Sequence, residues 1–337
     1  MQKVITLASE PEISGFASIV GKKEAEGPLK DYFDIVKEDT SLACETWEQA
    51  ESLLQQNALY AAMKKAKVTE SDLDVIFAGD LLNQCTASGY SMKNVSVPFA
   101  GVYGACSTMA LSAILAALCV DSGAADRAGA VTSSHFCSAE RQFRKPIEYG
   151  GQRTPTSQWT VTGAGCLIFE KNQSRSNPCA QKIIFGKVRD LGITDENNMG
   201  AAMAPAACET ICEFLKQTGT KPEDYDLILT GDLGEVGTNI LYELMIKEHG
   251  IDISSVHGDC GLMIYDRDSQ DVHAGGSGCG CSASVLCSKI MQELSAGKIK
   301  NVLFTATGAL LSPVRTLQGE SIPGIAHGIL FTGGKNG

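Results

Sequence analysis

The chain has 337 residues, 44% hydrophobic and 20% charged, with no low-complexity segment, which excludes a fibrous or disordered chain and allows one or two globular domains. Its formal net charge of −11 works against non-specific nucleic-acid binding and against simple electrostatic docking on anionic lipid. Thirteen scattered cysteines without a disulfide-like spacing point to a reducing compartment, where they behave as small buried hydrophobes.

The run from Met1 to Leu7 turns polar at Ser9-Glu10, too short for the apolar region of a signal peptide and better suited to a first strand. The apolar run from Leu73 ends in Gly79-Asp80-Leu81, which predicts a buried strand, a tight turn and an Asp that caps the next helix. Gly104-Ala105-Cys106-Ser107-Thr108 then opens a helix-like stretch that ends near Gly123, with a strand at Arg127 to Thr132. The apolar segment from Ala105 to Val120 is shorter than the roughly 20 residues of a spanning helix. It is expected to be a central helix buried in protein, in a soluble or at most peripheral chain. A closing strand is expected at Gly165 to Phe169.

The same plan then repeats. Tyr225 to Leu233 echoes the first run and ends in Gly231-Asp232-Leu233; Gly280-Cys281-Ser282-Ala283 opens a helix that ends near Gly297; strands follow at Asn301 to Thr305 and Gly328 to Phe331. Four correspondences in the same order identify a duplication. Strands alternating with helices predict two α/β halves, 1–172 and 178–337, with mostly parallel sheets. The polar stretch Asn172 to Pro178 is the expected linker. Sites in duplicated α/β proteins lie where the halves meet, near strand C-termini.

Cys106 is the first candidate for chemistry. At a helix N-terminus the dipole favours thiolate and prepares a nucleophile; the alternative is a small buried residue that begins a central helix. A nucleophile needs a base or an oxyanion partner. His135 follows a strand end, and His327 lies on the last strand, where it faces either the pocket or the core. His249 reads as a solvated helix end and His273 as a hairpin residue. Asp80 and Asp232 are pseudo-symmetric helix caps, either of which could also line a pocket. His257-x2-Cys260 with Cys279-x-Cys281 has a faint metal-site spacing that is set aside, because Gly-rich turns intervene and Cys281 belongs to the repeat. Gly275 to Gly280 could present backbone N–H groups to an anion. Arg141, Arg144 and Lys145 form the densest basic cluster, either a solvated loop or a guide for a dianionic ligand.

Duplicated halves with Gly-Ala-Cys-Ser-Thr at a buried helix start resemble the thiolase superfamily, which includes β-ketoacyl-carrier-protein synthases. The resemblance implies a thiolase-like fold, two pseudo-symmetric α/β halves with mixed sheets sandwiching central buried helices. More narrowly, Ala78 to Gln84, Gly104 to Thr108, Ala139 to Arg144, Glu148 to Gln152, Asp190 to Asp195, Leu227 to Leu233, Ala306 to Pro313 and Ile325 to Gly328 resemble the stage V sporulation protein AD family. That family implies a non-catalytic soluble subunit that binds dipicolinic acid, free or as the calcium chelate, during its import into developing spores. It would sit peripherally at the cytoplasmic face of the forespore or spore inner membrane, beside integral membrane partners. No cofactor is implied beyond calcium within the ligand, and a homodimer is compatible, since thiolase relatives are commonly dimers.

The ligand-binding residues that the resemblance implies are Cys106, Asp80, Ser107, Ser134, His135, Asp232, Cys281 and His327. Backbone N–H groups at the Cys106 and Cys281 helix starts and hydroxyls of Ser107 and Ser134 would meet carboxylates, His327 would add a charge-assisted bond, and Asp80 or Asp232 would complete a calcium shell. Synthase-type enzymes pair the cysteine with a His and with an Asn or second His. Those positions fall at Gly231 to Gly234 and Ser277 to Gly280, which hold neither. The alternative is a cysteine-dependent acyltransferase or condensing enzyme, weakened by that loss.

Overall fold

The computed structural model describes residues 2–143, 153–171 and 176–334. Its strands run in chain order as β1 (Val4–Thr6), β2 (Glu12–Gly21), β3 (Ile35–Lys37), β4 (Val75–Gly79), β5 (Phe99–Gly101), β6 (Arg127–Ser134), β7 (Trp159–Thr160) and β8 (Gly163–Glu170). They continue as β9 (Cys179–Ile184), β10 (Leu227–Thr230), β11 (His257–Asp259), β12 (Gly276–Ser277), β13 (Asn301–Ala309) and β14 (Gly324–Thr332). The main sheet has the order β11-β10-β13-β14-β9-β2-β8-β6-β4-β5, with β1 beside β9 and β3 beside β2.

The duplication is visible in this order. Reading outward from the β9–β2 boundary, one side runs β2-β8-β6-β4-β5 and the other β9-β14-β13-β10-β11. The pairings match step for step: two antiparallel pairs near the boundary, then two parallel pairs toward the edge. The sheets are therefore mixed, and the mostly parallel arrangement expected from strand–helix alternation is corrected. In each half the last strand returns antiparallel to its neighbour, β8 beside β6 and β14 beside β13. The expected linker from Asn172 to Pro178 lies partly outside the described residues.

Two central helices hold the layers together. Helix Thr108–Asp121 is apolar on nearly every side, and it packs on β4, β6 and β8 and also on β13 and β14. A helix that is hydrophobic all round is stable only when buried on all sides. Every residue of helix Cys279–Val285 is buried, and it packs on β6 and β8. Outside, helix Trp47–Ala66 covers β2 and β8, and helix Met199–Thr218 covers β13 and β14. Thr46 and Gln49 close a capping box at the start of the former, a device worth about 1 kcal/mol.

The close contact depends on missing side chains. A Cβ on Gly165 of β8 would stand 2.3 Å from the Ala283 carbonyl oxygen, and one on Gly308 of β13 would stand 2.4 Å from that of Gly104. These two glycines let each central helix approach the strand of the opposite half, which sets the position of Cys106.

Candidate functional site

Strand C-termini from both halves converge on one narrow cavity of about 50 Å³. Leu81, Tyr103, Ala105, Cys106, Ala139, Glu140, Phe143 and Thr160 form one side, and Glu196, Asn197, Met199, Ser277, Ala309 and Leu311 the other. That volume holds a few water molecules.

Cys106 reaches the cavity from a strained turn. Ala105 has φ +50°, a left-handed conformation that costs a residue with a Cβ about 1–2 kcal/mol. Strain of this kind persists only where the surroundings over-determine it. The following residues close tight turns, with Ser107 N–H donating to Gly104 O at 3.1 Å and Thr108 N–H to Ala105 O at 3.2 Å, before the helix begins.

Asp232, just past β10, lies against the sulfur. Its carboxylate accepts from Thr307 Oγ1 at 2.9 Å, Gly278 N–H at 2.8 Å and Ser277 Oγ at 3.2 Å, and the Cys106 thiol lies beside it. Burial, first of all, pushes its carboxyl up to about 7. Burial likewise pushes the Cys106 thiol well up, and the adjacent Asp232 charge adds to this. Of the two readings of Cys106, this environment favours the small buried residue: desolvation and a neighbouring carboxylate outweigh the helix dipole and disfavour thiolate. In the Gly-rich segment from Gly275 to Gly280, the Gly278 N–H donates to the protein's own Asp232 carboxyl.

Apart from Cys106, none of the predicted residues lines the cavity; Asp232 lies behind the sulfur. Asp80 is a buried turn anchor that accepts from Leu82 N–H, Ser88 N–H and Ser88 Oγ at 2.8, 2.8 and 2.6 Å. Ser107 donates to Gly104 O at 2.6 Å, and Ser134 donates to Val161 O at 2.7 Å while accepting from Gly280 N–H. His135 bonds Thr40 O at 2.9 Å, stacks on Trp47 and lines a different, shallow cavity with Lys22 and Lys23. Cys281 is fully buried within the main apolar core. His327 turns away: its Nδ1 accepts from Gly186 N–H at 3.1 Å beside Phe185, and burial lowers its pKa to about 4, so it is neutral and cannot supply the expected charge. His257 is held by Thr230 and Tyr242, and Cys279 donates to Ser133 O, so the faint metal spacing does not converge. Arg141 pairs with Glu48 at the surface, and Arg144 and Lys145 lie outside the described residues.

Sequence reading missed most of the wall. Glu140 accepts from Thr160 Oγ1 at 3.2 Å and pairs with Arg153 at 3.0 Å; the Arg153 guanidinium stacks over Trp159 and Phe136. Tyr103, Asn197 and Leu311 come from loops without a motif. Ser277 was legible only as the residue that opens the Gly-rich turn.

The family profile of stage V sporulation protein AD matches residues 1–332. A stage V sporulation protein AD from Bacillus subtilis (strain 168) is 45% identical over 319 residues, covering 95% of this chain and 93% of that one. The chain belongs to the stage V sporulation protein AD family. Among solved structures, 3-oxoacyl-[acyl-carrier-protein] synthase III from Aquifex aeolicus VF5 aligns with TM-score 0.56 and 14% identity, over 96% of this chain and 99% of that one. An OleA variant from Xanthomonas campestris aligns with TM-score 0.60 and 14% identity, over 97% and 100%. This member of the stage V sporulation protein AD family therefore has a thiolase-like fold. In it, the two segments expected to lack a synthase His and Asn contribute Asp232 and Ser277, which bond each other beside Cys106.

Proposed function

We propose that this sporulation protein uses the cavity at Cys106 to bind dipicolinic acid, and that it does no condensing chemistry there. The observation that carries the reading is the Cys106–Asp232 contact: a buried thiol beside a buried carboxylate is a poor nucleophile, because forming thiolate would put two negative charges side by side. Among the described residues, no histidine lines the cavity to take the proton. What is left is a slot with apolar walls and a few hydroxyl and amide donors (Tyr103, Thr160, Asn197 and Ser277), the usual character of a small-molecule pocket.

A pyridine ring with two carboxylates exceeds the present room, so binding would widen the slot, and Tyr103 and Phe143 are the partly exposed rings at its wall. The charge of the lining weighs toward the calcium chelate. Glu196 lines the cavity beside Glu140, whose charge Arg153 balances, and among the described residues no lysine or arginine lines it. A dianion would be repelled there, whereas a chelate brings its own hard cation for carboxylate oxygens. Delivery of the ligand at the cytoplasmic face of the spore inner membrane would then rest on integral partners; among the described residues no helix is long and apolar enough to cross a membrane.

Isothermal titration of the purified chain with dipicolinic acid, with and without calcium, tests this. Saturable binding, tighter with calcium and altered in Cys106→Ala, is expected. Absence of binding in both conditions, or a trappable acyl group on Cys106 with thioester turnover, overturns it.

A further inference from the structure

A second group of chemistry-bearing side chains lies far from the Cys106 slot. Cys208 and Cys212 are four residues apart on helix Met199–Thr218, so both sulfurs project from one face, within 4.8 Å of each other. Opposite them, helix Gly234–Leu244 ends in a π turn, Met245–His249, before the left-handed Gly250. A π turn inserts one extra residue into the last turn and is enriched at functional sites. Here the inserted turn ends on His249. One ligand atom from each of Cys208, Cys212 and His249 lies within 4.8 Å of the others.

We propose that Cys208, Cys212 and His249 form a zinc site with one coordination position open to solvent. Tetrahedral zinc with bonds of about 2.3 Å to sulfur and about 2.0–2.1 Å to nitrogen holds its ligand atoms about 3.5–3.8 Å apart. From separations within 4.8 Å the group needs a contraction of at most about 1 Å, toward which rotation of the exposed His249 side chain contributes. Two thiolates and an imidazole select zinc over calcium or magnesium, which take oxygen. The site also has access. The cysteines are 3% and 7% exposed, but they form the floor of a surface groove of about 710 Å³ whose walls include Glu213 and Glu248. Either carboxylate, or water, can take the fourth position. Bound zinc would tie helix Met199–Thr218 to the end of helix Gly234–Leu244.

The full chain, stripped with chelator and held under a non-thiol reductant, would be titrated with cobalt and then zinc against a competing chromophoric chelator. One metal per chain is expected, with thiolate-to-cobalt charge-transfer absorption. The Cys208→Ser/Cys212→Ser double variant should lose that absorption and weaken zinc binding by at least the 10–100-fold typical of a damaged metal environment. His249→Ala alters only an exposed side chain, so it should fold and still bind zinc more weakly. Absence of stoichiometric zinc in the parent chain, or unchanged affinity in the double variant or in His249→Ala, overturns the site.

Discussion

The Cys106 thiol lies against the buried carboxyl of Asp232, a contact between residues 126 positions apart that joins the two halves. Within this thiolase-like fold, the neighbouring carboxyl and burial disfavour the thiolate form of the cysteine. Proton loss from sulfur is opposed by burial and by the neighbouring charge, so the pair stores its proton on the thiol.

Cys106 should therefore be slow to alkylate. With iodoacetamide at neutral pH, the half-buried Cys44 and Cys137 should be modified well before Cys106, as read by peptide mass mapping. Asp232→Asn removes the opposing charge and should raise the Cys106 rate about tenfold, the effect of one pKa unit. Preferential labelling of Cys106 in the parent chain would contradict this.

Stability should fall as pH rises from about 6.5 to 8. Burial raises Asp232 to about 7 and Glu51 to about 8, so each holds its proton longer when folded. The stability that a raised carboxyl lends is full below its unfolded value and is lost as pH climbs through the folded one. His257 and His327, lowered to about 4, act oppositely, but their effect is complete once the unfolded histidine has lost its proton near 6.5. Above that point the two carboxyls remain. The melting temperature should drop by a few degrees across the interval, and Asp232→Asn should shallow the drop; a flat profile in the parent chain contradicts the assignment.

Asp80→Ala should cost stability and spare binding. Removing the carboxylate strands two backbone N–H groups and one hydroxyl in a buried turn, at about 2–4 kcal/mol in total. Chemical denaturation reads the cost, and unchanged dipicolinate titration would show that Asp80 stands outside the cavity. A selective loss of binding in a stably folded variant would return it to the site.

Filling the slot should abolish binding. Ala309, at the end of β13, presents a methyl group to the cavity. In Ala309→Leu the larger side chain should occupy the room and weaken dipicolinate on the order of 100-fold, about 2.7 kcal/mol. Overpacking should cost only about 1–3 kcal/mol of stability. Full affinity in this variant would move the ligand elsewhere.

The fold was legible because each half repeats apolar runs that end in Gly-Asp-Leu and a small-residue helix start, and these dictate buried strands and central helices wherever they occur. Cys106 was legible for the same reason, whereas Asp232 read only as a helix cap that could also line a pocket. The other candidate side chains stand away from the cavity lining because of their direction. Being near a strand end says nothing about which face a residue presents, and a shift of one residue reverses the face. His327 sits on β14 beside Ala306, yet its ring goes to Gly186 and Phe185. Asp80 and Asp232 share a motif but not partners: Asp80 is satisfied by its own turn, while Asp232 finds Cys106, Ser277 and Thr307 only once the halves meet. Wall residues such as Tyr103 and Asn197 are brought in by loops, which carry no periodic signal.

The most direct measurement is a crystal structure of the chain grown with calcium and dipicolinic acid at saturating concentration. The prediction is a planar ligand between Cys106 and Ala309, with Tyr103 or Phe143 displaced and the Cys106–Asp232 contact intact. A slot without ligand under those conditions, or a ligand bound at another surface, would contradict the central claim.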